Sequence, residues 1–292
     1  MKLKYPAPEE FLKEETLCGY TVSAEMKKVW AVEIDLLQEL LRVCQKYNLP
    51  IYADGGTLIG TMRHQGFIPW DDDIDMVMFR EDYDRLCEVA PQEFAHPYFF
   101  QTVATDLHYG HRHAQLRNSE TACWSVKHER PIAKSNAGIF VDIFVMDGMP
   151  CNPRDLDKHY RRIKSAKNRL KFVNKLMEHM PEGIYRWCRE HTTCLSDKAL
   201  YARYEDVLRS VPAKTSLLVC KISLRYNHFF KTTRSLGQPR MVPYAYTQIP
   251  VPEDYDELLT QQFGNWRTPT QSPTYHGAQR YDTEHSYLEL VK

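Results

Sequence analysis

Residues 51–79 read IYADGGTLIGTMRHQGFIPWDDDIDMVMF, and the rest of the chain is best read outward from them. Ile51-Tyr52-Ala53 is a short apolar run with the look of a strand. Asp54-Gly55-Gly56 breaks it, and a short helix is expected from Thr57 to His64. Gly66-Phe67-Ile68-Pro69-Trp70 is punctuated by Gly and Pro and reads as a loop. Acid and apolar residues then alternate from Asp73 to Phe79 in the manner of a second strand. The Gly55-Gly56-Thr57 turn at a helix start would let backbone N–H groups approach a phosphate. If Asp73 begins the second strand, Asp73 and Asp75 share a face, about 7 Å apart. Two carboxylates so placed repel unless a cation lies between them. Oxygen-only ligands suit Mg²⁺ or Mn²⁺. Asp71 and Asp72 read as turn-capping residues of an acidic loop.

A long amphipathic helix is expected over 23–47, capped by Ser23, with Met26, Val29, Leu36, Leu40 and Cys44 at helical spacing. Downstream, a helix over 81–90 and strands over 98–103, 113–117 and 139–145 are expected. Asp142 lies in the apolar run Gly138-Ile139-Phe140-Val141-Asp142-Ile143-Phe144-Val145, where a carboxylate is costly unless paired or liganding. If that strand neighbours 73–79, Asp73, Asp75 and Asp142 form a three-carboxylate metal cluster suited to displacement at phosphorus. Arg63, His64 and Arg117 would supply cations near bound phosphates. His108, His111 and His113 read as exposed imidazoles of a loop and take no part in this reading. A helix over 155–178 follows, then helical pattern through 183–230 and a final helix near 253–262. The expectation is an α+β fold: a mixed sheet with flanking helices over 1–150, then a mainly helical region with a loop-rich end over 151–292.

The chain of 292 residues carries 38 Lys+Arg and 38 Asp+Glu, so its formal net charge is zero, which argues against a protein that holds nucleic acid by bulk charge. No apolar run reaches the ~18–20 residues of a membrane span, and no signal peptide is visible. The eight cysteines form no C-x-x-C pair, which suits reduced thiols in a cytoplasmic protein. Cys188, His191 and Cys194 do not converge if helical, so ordinary packing is expected there rather than zinc. The zero conceals segregation. Residues 70–106 hold ten acids and two bases, and residues 154–175 hold nine Lys/Arg against two Asp. Residues 207–252 hold seven Lys/Arg and no acid.

Asp54-Gly55-Gly56-Thr57-Leu58-Ile59-Gly60, with Arg63-His64-x-Gly66-Phe67-Ile68-Pro69-Trp70-Asp71-Asp72-Asp73-Ile74-Asp75, resembles the signature of the LicD family. Gly138 to Phe144 resembles that family's second block. Val251-Pro252, Tyr255, Phe263-Gly264-x-Trp266 and Pro269 resemble its closing block. The resemblance implies a nucleotidyltransferase-like core, with Gly55, Gly56, Asp73, Asp75 and Asp142 at the positions of the Gly-Gly turn, the Asp-x-Asp pair and the third acid. It further implies a Mg²⁺-dependent phosphotransferase that moves phosphocholine from CDP-choline to a cell-surface glycan such as lipopolysaccharide or teichoic acid, related to fukutin-like proteins. Gly55, Gly56, Thr57, Arg63, His64, Trp70 and Arg117 would bind the donor, and Trp70, Trp124 and Tyr52 are candidates for a cage around the quaternary ammonium. A lipid-linked acceptor would bring such a protein to the inner membrane without a spanning helix. Val145-Met146 departs from the family's usual Pro-Leu. Nucleotidyl transfer, glycerol- or ribitol-phosphate transfer, and an inactive glycan-binding relative are the alternative readings.

Overall fold

The computed structural model describes every residue except 1, 107, 132–134, 178, 192–196, 222–230, 272–277 and 292. The fold is α+β. Its first part runs β1 (Glu15–Leu17), β2 (Tyr20–Val22), α1 (Ala24–Lys46), β3 (Tyr52–Ala53), α2 (Gly55–His64), β4 (Asp75–Phe79), α3 (Arg80–Glu93), β5 (Tyr98–Gln101), β6 (Ala114–Asn118), β7 (Ala122–Ser125) and β8 (Ile139–Met149). There follow α4 (Pro153–Met177), α5 (Glu182–His191), α6 (Asp197–Arg209), β9 (Leu218–Cys220), β10 (Lys231–Thr232) and α7 (Thr233–Leu236). The chain closes with β11 (Arg240–Tyr244), β12 (Thr247–Val251), α8 (Tyr255–Phe263), β13 (Gln279–Asp282) and α9 (Tyr287–Leu290).

Two compact units result: Met1–Val145 with Ser235–Lys292, and Met146–Arg234. The first break falls close to the expected one at 150. The assignment of everything beyond it to a second region is corrected, because residues from Ser235 onward return to the first unit. The reason is apolar burial that the loop-like composition hides. β11 and β12 form an antiparallel hairpin, and Tyr244, Ile249 and Val251 are buried in the same cluster as Trp30 and Phe67. Phe67 stacks on Trp30 at 4.4 Å and meets the Tyr244 ring at 5.2 Å. β13 pairs with β7, Tyr281 opposite Cys123.

In the first unit the sheet order is β5-β6-β8-β4-β3. The alternation of β8 sends Ile139, Val141 and Ile143 into the core, where they join Met76 and Met78 of β4 and Leu116 of β6. Helix α1 begins as its sequence predicts, with the Ser23 hydroxyl accepting the Met26 N–H at 3.2 Å. It covers the sheet with Trp30, Ile34, Leu37 and Leu40, each 2% exposed or less. Burial of each such side chain is worth roughly 1.5–3 kcal/mol. Asp142 N donates to Ile74 O at 2.9 Å, so the Asp142 strand does neighbour the segment after the acidic loop. The second unit takes the tail of β8, which pairs Asp147–Met149 with β9, and the packed helices α4 and α6. It is therefore less purely helical than its sequence suggests. Cys188 is buried, and Cys194 lies outside the described residues.

Helix α2 is held close to the loop that follows it. A Cβ on Gly60 would stand 2.5 Å from Gly66 O and 3.0 Å from Ile68 N, both backbone atoms with little freedom to retreat. Gly60→Ala is expected to lower stability by about 1–3 kcal/mol in urea unfolding. A loss below about 0.5 kcal/mol would mean that the helix and loop are not packed this closely.

Candidate functional site

The site forms where β3 ends, α2 starts and the acidic loop enters β4. Asp54 N donates to Asp75 O at 3.0 Å, and Asp75 N donates to the Thr57 hydroxyl at 2.8 Å. These two bonds fix the β3–α2 turn beside the first residue of β4. Gly55 has φ +56°, a left-handed conformation that side chains disfavour. A Cβ there would also sit 3.3 Å from Asp75 Oδ2. A Cβ on Gly56 would meet Asp71 Oδ2 at 2.7 Å. The glycine pair thus leaves room at a helix N-terminus for the Asp71 and Asp75 carboxylates.

Asp73 lies outside β4, so the same-face argument for Asp73 and Asp75 is corrected. The loop turns at Ile68, with Asp71 N donating to Ile68 O at 2.9 Å, and Asp72 N donating to Asp71 Oδ1 at 3.2 Å. This turn gathers Asp71, Asp72 and Asp73, which each offer a carboxylate oxygen within 4.8 Å of the others. Asp71 and Asp72 are buried members of the cluster and more than turn caps. Residues distant in sequence hold them: Trp30 Nε1 donates to Asp71 O at 3.1 Å, and the Tyr281 hydroxyl donates to Asp72 Oδ2 at 3.0 Å.

Asp142 faces the same region from β8. Gln115 Nε2 donates to its Oδ1 at 2.7 Å, and His113 Nε2 lies 3.0 Å from that oxygen. Burial pushes the Asp142 carboxyl up, but the His113 ring and the Gln115 amide outweigh it and hold the group below the usual aspartate range. His113 is 8% exposed, so its reading as an exposed loop imidazole is corrected. The signal was available: His113 precedes β6 at the residue that, in alternation with Gln115, shares a face with it. Arg117 continues that face but does not stand open to a phosphate. Its guanidinium is buried, donates to Gln101, Gly138 O and Gln115, and lies over the Phe140 ring at 4.6 Å. Through Gln115 it supports Asp142 at one remove.

Glu33 was hidden in the helical pattern of α1. It is 2% exposed, and its Oε2 has no hydrogen-bond partner among the described residues. Burial first, then the charges of Asp73, Asp72, Asp71 and Asp142, push its carboxyl well above the usual glutamate range. Burial first, then the charges of Glu33, Asp71, Asp73 and Asp75, raise the Tyr244 hydroxyl, which is also buried without a hydrogen-bond partner among the described residues.

A cavity of about 360 Å³ opens beside Gly56 and Asp71 and is lined further by Arg63, Trp70, Phe263 and Trp266. Arg63 crosses to the C-terminal segment, donating through Nη1 to Trp266 O at 2.8 Å and through Nε to His64 Nε2 at 2.9 Å. Burial, then the Arg63 charge, lowers the His64 pKa. Of the three aromatic cage candidates, Trp70 lines this cavity. Tyr52 is buried with its hydroxyl on Gly237 O at 2.7 Å, and Trp124 stands on β7 opposite Arg280.

Residues 48–162 match the family model described as LicD/FKTN/FKRP, nucleotidyltransferase domain. The lipopolysaccharide cholinephosphotransferase LicD of Haemophilus influenzae is 36% identical over 136 residues, 45% of this chain and 49% of that protein. An uncharacterized protein of Rickettsia prowazekii is 35% identical over 81 residues, 28% of this chain and 29% of its own length. The chain therefore spans about half the length of the Haemophilus relative and less of the Rickettsia protein.

The raised Glu33 carboxyl yields a signed prediction. The fold binds a proton at Glu33 that the unfolded chain has released above about pH 4.5, so this contribution to stability is lost as pH rises through the window above it. Glu33→Gln removes the titrating group. In buffer with a chelator, urea unfolding between about pH 5 and pH 8 should show the wild type losing at least about 1 kcal/mol more than Glu33→Gln. Identical pH slopes would place Glu33 outside the field of the aspartates.

Proposed function

From a chain whose residues 48–162 are a LicD-family nucleotidyltransferase domain, we propose a metal-dependent phosphotransferase that moves phosphocholine from CDP-choline to a glycan hydroxyl. The observation that carries this reading is the cluster of Asp71, Asp72 and Asp73, with the Asp71 and Asp75 carboxylates against the glycine turn and an aromatic cavity at its side. The name of the Haemophilus relative supports the choice of phosphocholine.

The donor set is made only of carboxylate oxygens, it contains a cluster within 4.8 Å, and the buried Glu33 Oε2 beneath it is unpartnered. That chemistry fits a hard divalent cation such as Mg²⁺ or Mn²⁺. Asp73, Asp75 and Asp142, with Asp71 and Asp72 beside them, would hold it. When bound, such an ion neutralises charge developing on the pyrophosphate and the departing phosphate.

The protein's own groups account for the remainder. The N-terminus of α2 at Gly55 and Gly56 presents backbone N–H groups to phosphate oxygens. Arg63, on the cavity wall, adds positive potential while its guanidinium keeps the C-terminal segment in place. Trp70 and Trp266, which line the cavity, are the aromatic rings that would receive the trimethylammonium group. The acceptor hydroxyl oxygen attacks the phosphorus that bears choline. The bond from that phosphorus to the bridging oxygen breaks, and CMP leaves with the electron pair. Asp142 takes the hydroxyl proton, with its carboxylate oriented by His113 and Gln115.

The test is CMP release from a panel of CDP-choline, CDP-glycerol and CDP-ribitol with Mg²⁺ and a glycan acceptor. CDP-choline is expected to be the preferred donor. Asp75→Asn should fold normally and lose about 100-fold or more in rate. A normally folded Asp75→Asn that releases CMP at the wild-type rate contradicts the assignment. Preference for CDP-glycerol or CDP-ribitol would transfer the reading to that alcohol phosphate.

A further inference from the structure

The second unit carries a charged surface that the proposed reaction does not use. Along α4, Arg154, Lys158, Arg161, Arg169, Phe172 and Leu176 follow one another at three-, four- or eight-residue steps and so share one face of the helix. The buried residues Ile163, Leu170 and Val173 form a different stripe, and Ile163 packs against Tyr204 and Leu208 of α6. A cleft of about 930 Å³ runs along the charged face. It is lined by Arg154, Lys158, Arg161, Arg162 and Arg169 of α4 and Arg203 of α6, against the two acids Asp155 and Asp157. Arg161 pairs with Asp157, which leaves the cleft strongly positive.

The same face ends in apolar residues that point to water. Phe172 is 70% exposed and Leu176 46%. Elsewhere in the unit, helix α5 exposes Ile184 at 52% and Trp187 at 55%. A soluble polyanion would need only the cations. Large apolar side chains beside lysines and arginines lose their contact with water when they enter the headgroup region of a bilayer, while the cations meet its anionic lipids. Among the described residues no helix is long and apolar enough to cross a membrane, so the contact is one that lies on the surface.

We propose that the solvent face of α4, with its cationic cleft and its terminal Phe172 and Leu176, docks the second unit on the surface of an anionic lipid bilayer. The reading is independent of the transferase chemistry. It is tested by co-sedimentation of the full chain with phosphatidylcholine vesicles, with and without phosphatidylglycerol, at low and high salt. The wild type should sediment with the phosphatidylglycerol vesicles alone, and less so at high salt. Each cation near the surface contributes about fivefold, so the exposed double variant Lys158→Glu/Arg169→Glu should lower the partition at least about tenfold. Phe172→Ser/Leu176→Ser should lower it several-fold while leaving retention on immobilised polyphosphate unchanged. Circular dichroism and melting of each variant report folding separately, and the wild-type salt and lipid dependence stands without them. Three results would overturn the proposal: no sedimentation at low salt, equal sedimentation with neutral vesicles, or wild-type partition by Phe172→Ser/Leu176→Ser. The last would leave a contact made by the cations alone, with no insertion of the apolar residues. Because no arm reads CMP release, failure here and failure of the transferase reading are distinguishable.

Discussion

The Glu33 carboxyl is buried on α1 with one oxygen unpartnered among the described residues, in the field of Asp71, Asp72, Asp73 and Asp142. Carboxylates brought together away from water repel one another, and burial raises the cost of each charge. Protonation of Glu33 relieves part of that cost. The His113 ring and the Gln115 amide relieve another part at Asp142. What remains is a negative pocket of oxygen ligands, which is the electrostatic condition for a tightly held divalent cation.

The fold maintains that condition with elements from distant parts of the chain. Two glycines open the N-terminus of α2 so that the Asp71 and Asp75 carboxylates can approach it. Trp30 of α1 and Tyr281 of β13 hold the acidic loop through Asp71 O and Asp72. β8 delivers Asp142 because its neighbour β6 supplies Gln115 and, just before it, His113. The return of residues beyond Ser235 completes the arrangement, since Trp266 closes the cavity and its carbonyl anchors Arg63. The site therefore depends on the tertiary packing of the whole first unit as well as on the motif.

Much of this was legible in the sequence, and the remainder failed for identifiable reasons. Period-two alternation placed Asp142 on a strand, because a buried strand leaves few alternatives for its faces, while the pairing of that strand with the acid-bearing segment came only from the fold. The Gly55-Gly56 turn was legible because a positive φ and a close approach both demand glycine. The true start of β4 at Asp75 was not legible, since the acidic loop is held by Trp30 and Tyr281 from distant parts of the chain as well as by its local bonds. Glu33 looked like an ordinary polar position of an amphipathic helix, and only the folded sheet shows that its face is covered. Arg117 carried the right charge for a phosphate, yet its strand faces inward and its donors are taken by Gln101, Gln115 and Gly138.

The opposite ends of the charge distribution meet different needs. Acids concentrate in the loop of the first unit that gathers Asp71, Asp72 and Asp73, and bases concentrate on α4 of the second unit. The zero net charge of the chain conceals both. The central claim, that the carboxylates of the acidic loop hold a divalent cation, is tested most directly by titrating the metal-free protein with Mn²⁺ in a calorimeter. The account predicts saturable binding by the wild type that disappears in a folded Asp71→Asn/Asp73→Asn variant. No saturable binding by the wild type, or equal binding by that variant, would contradict it.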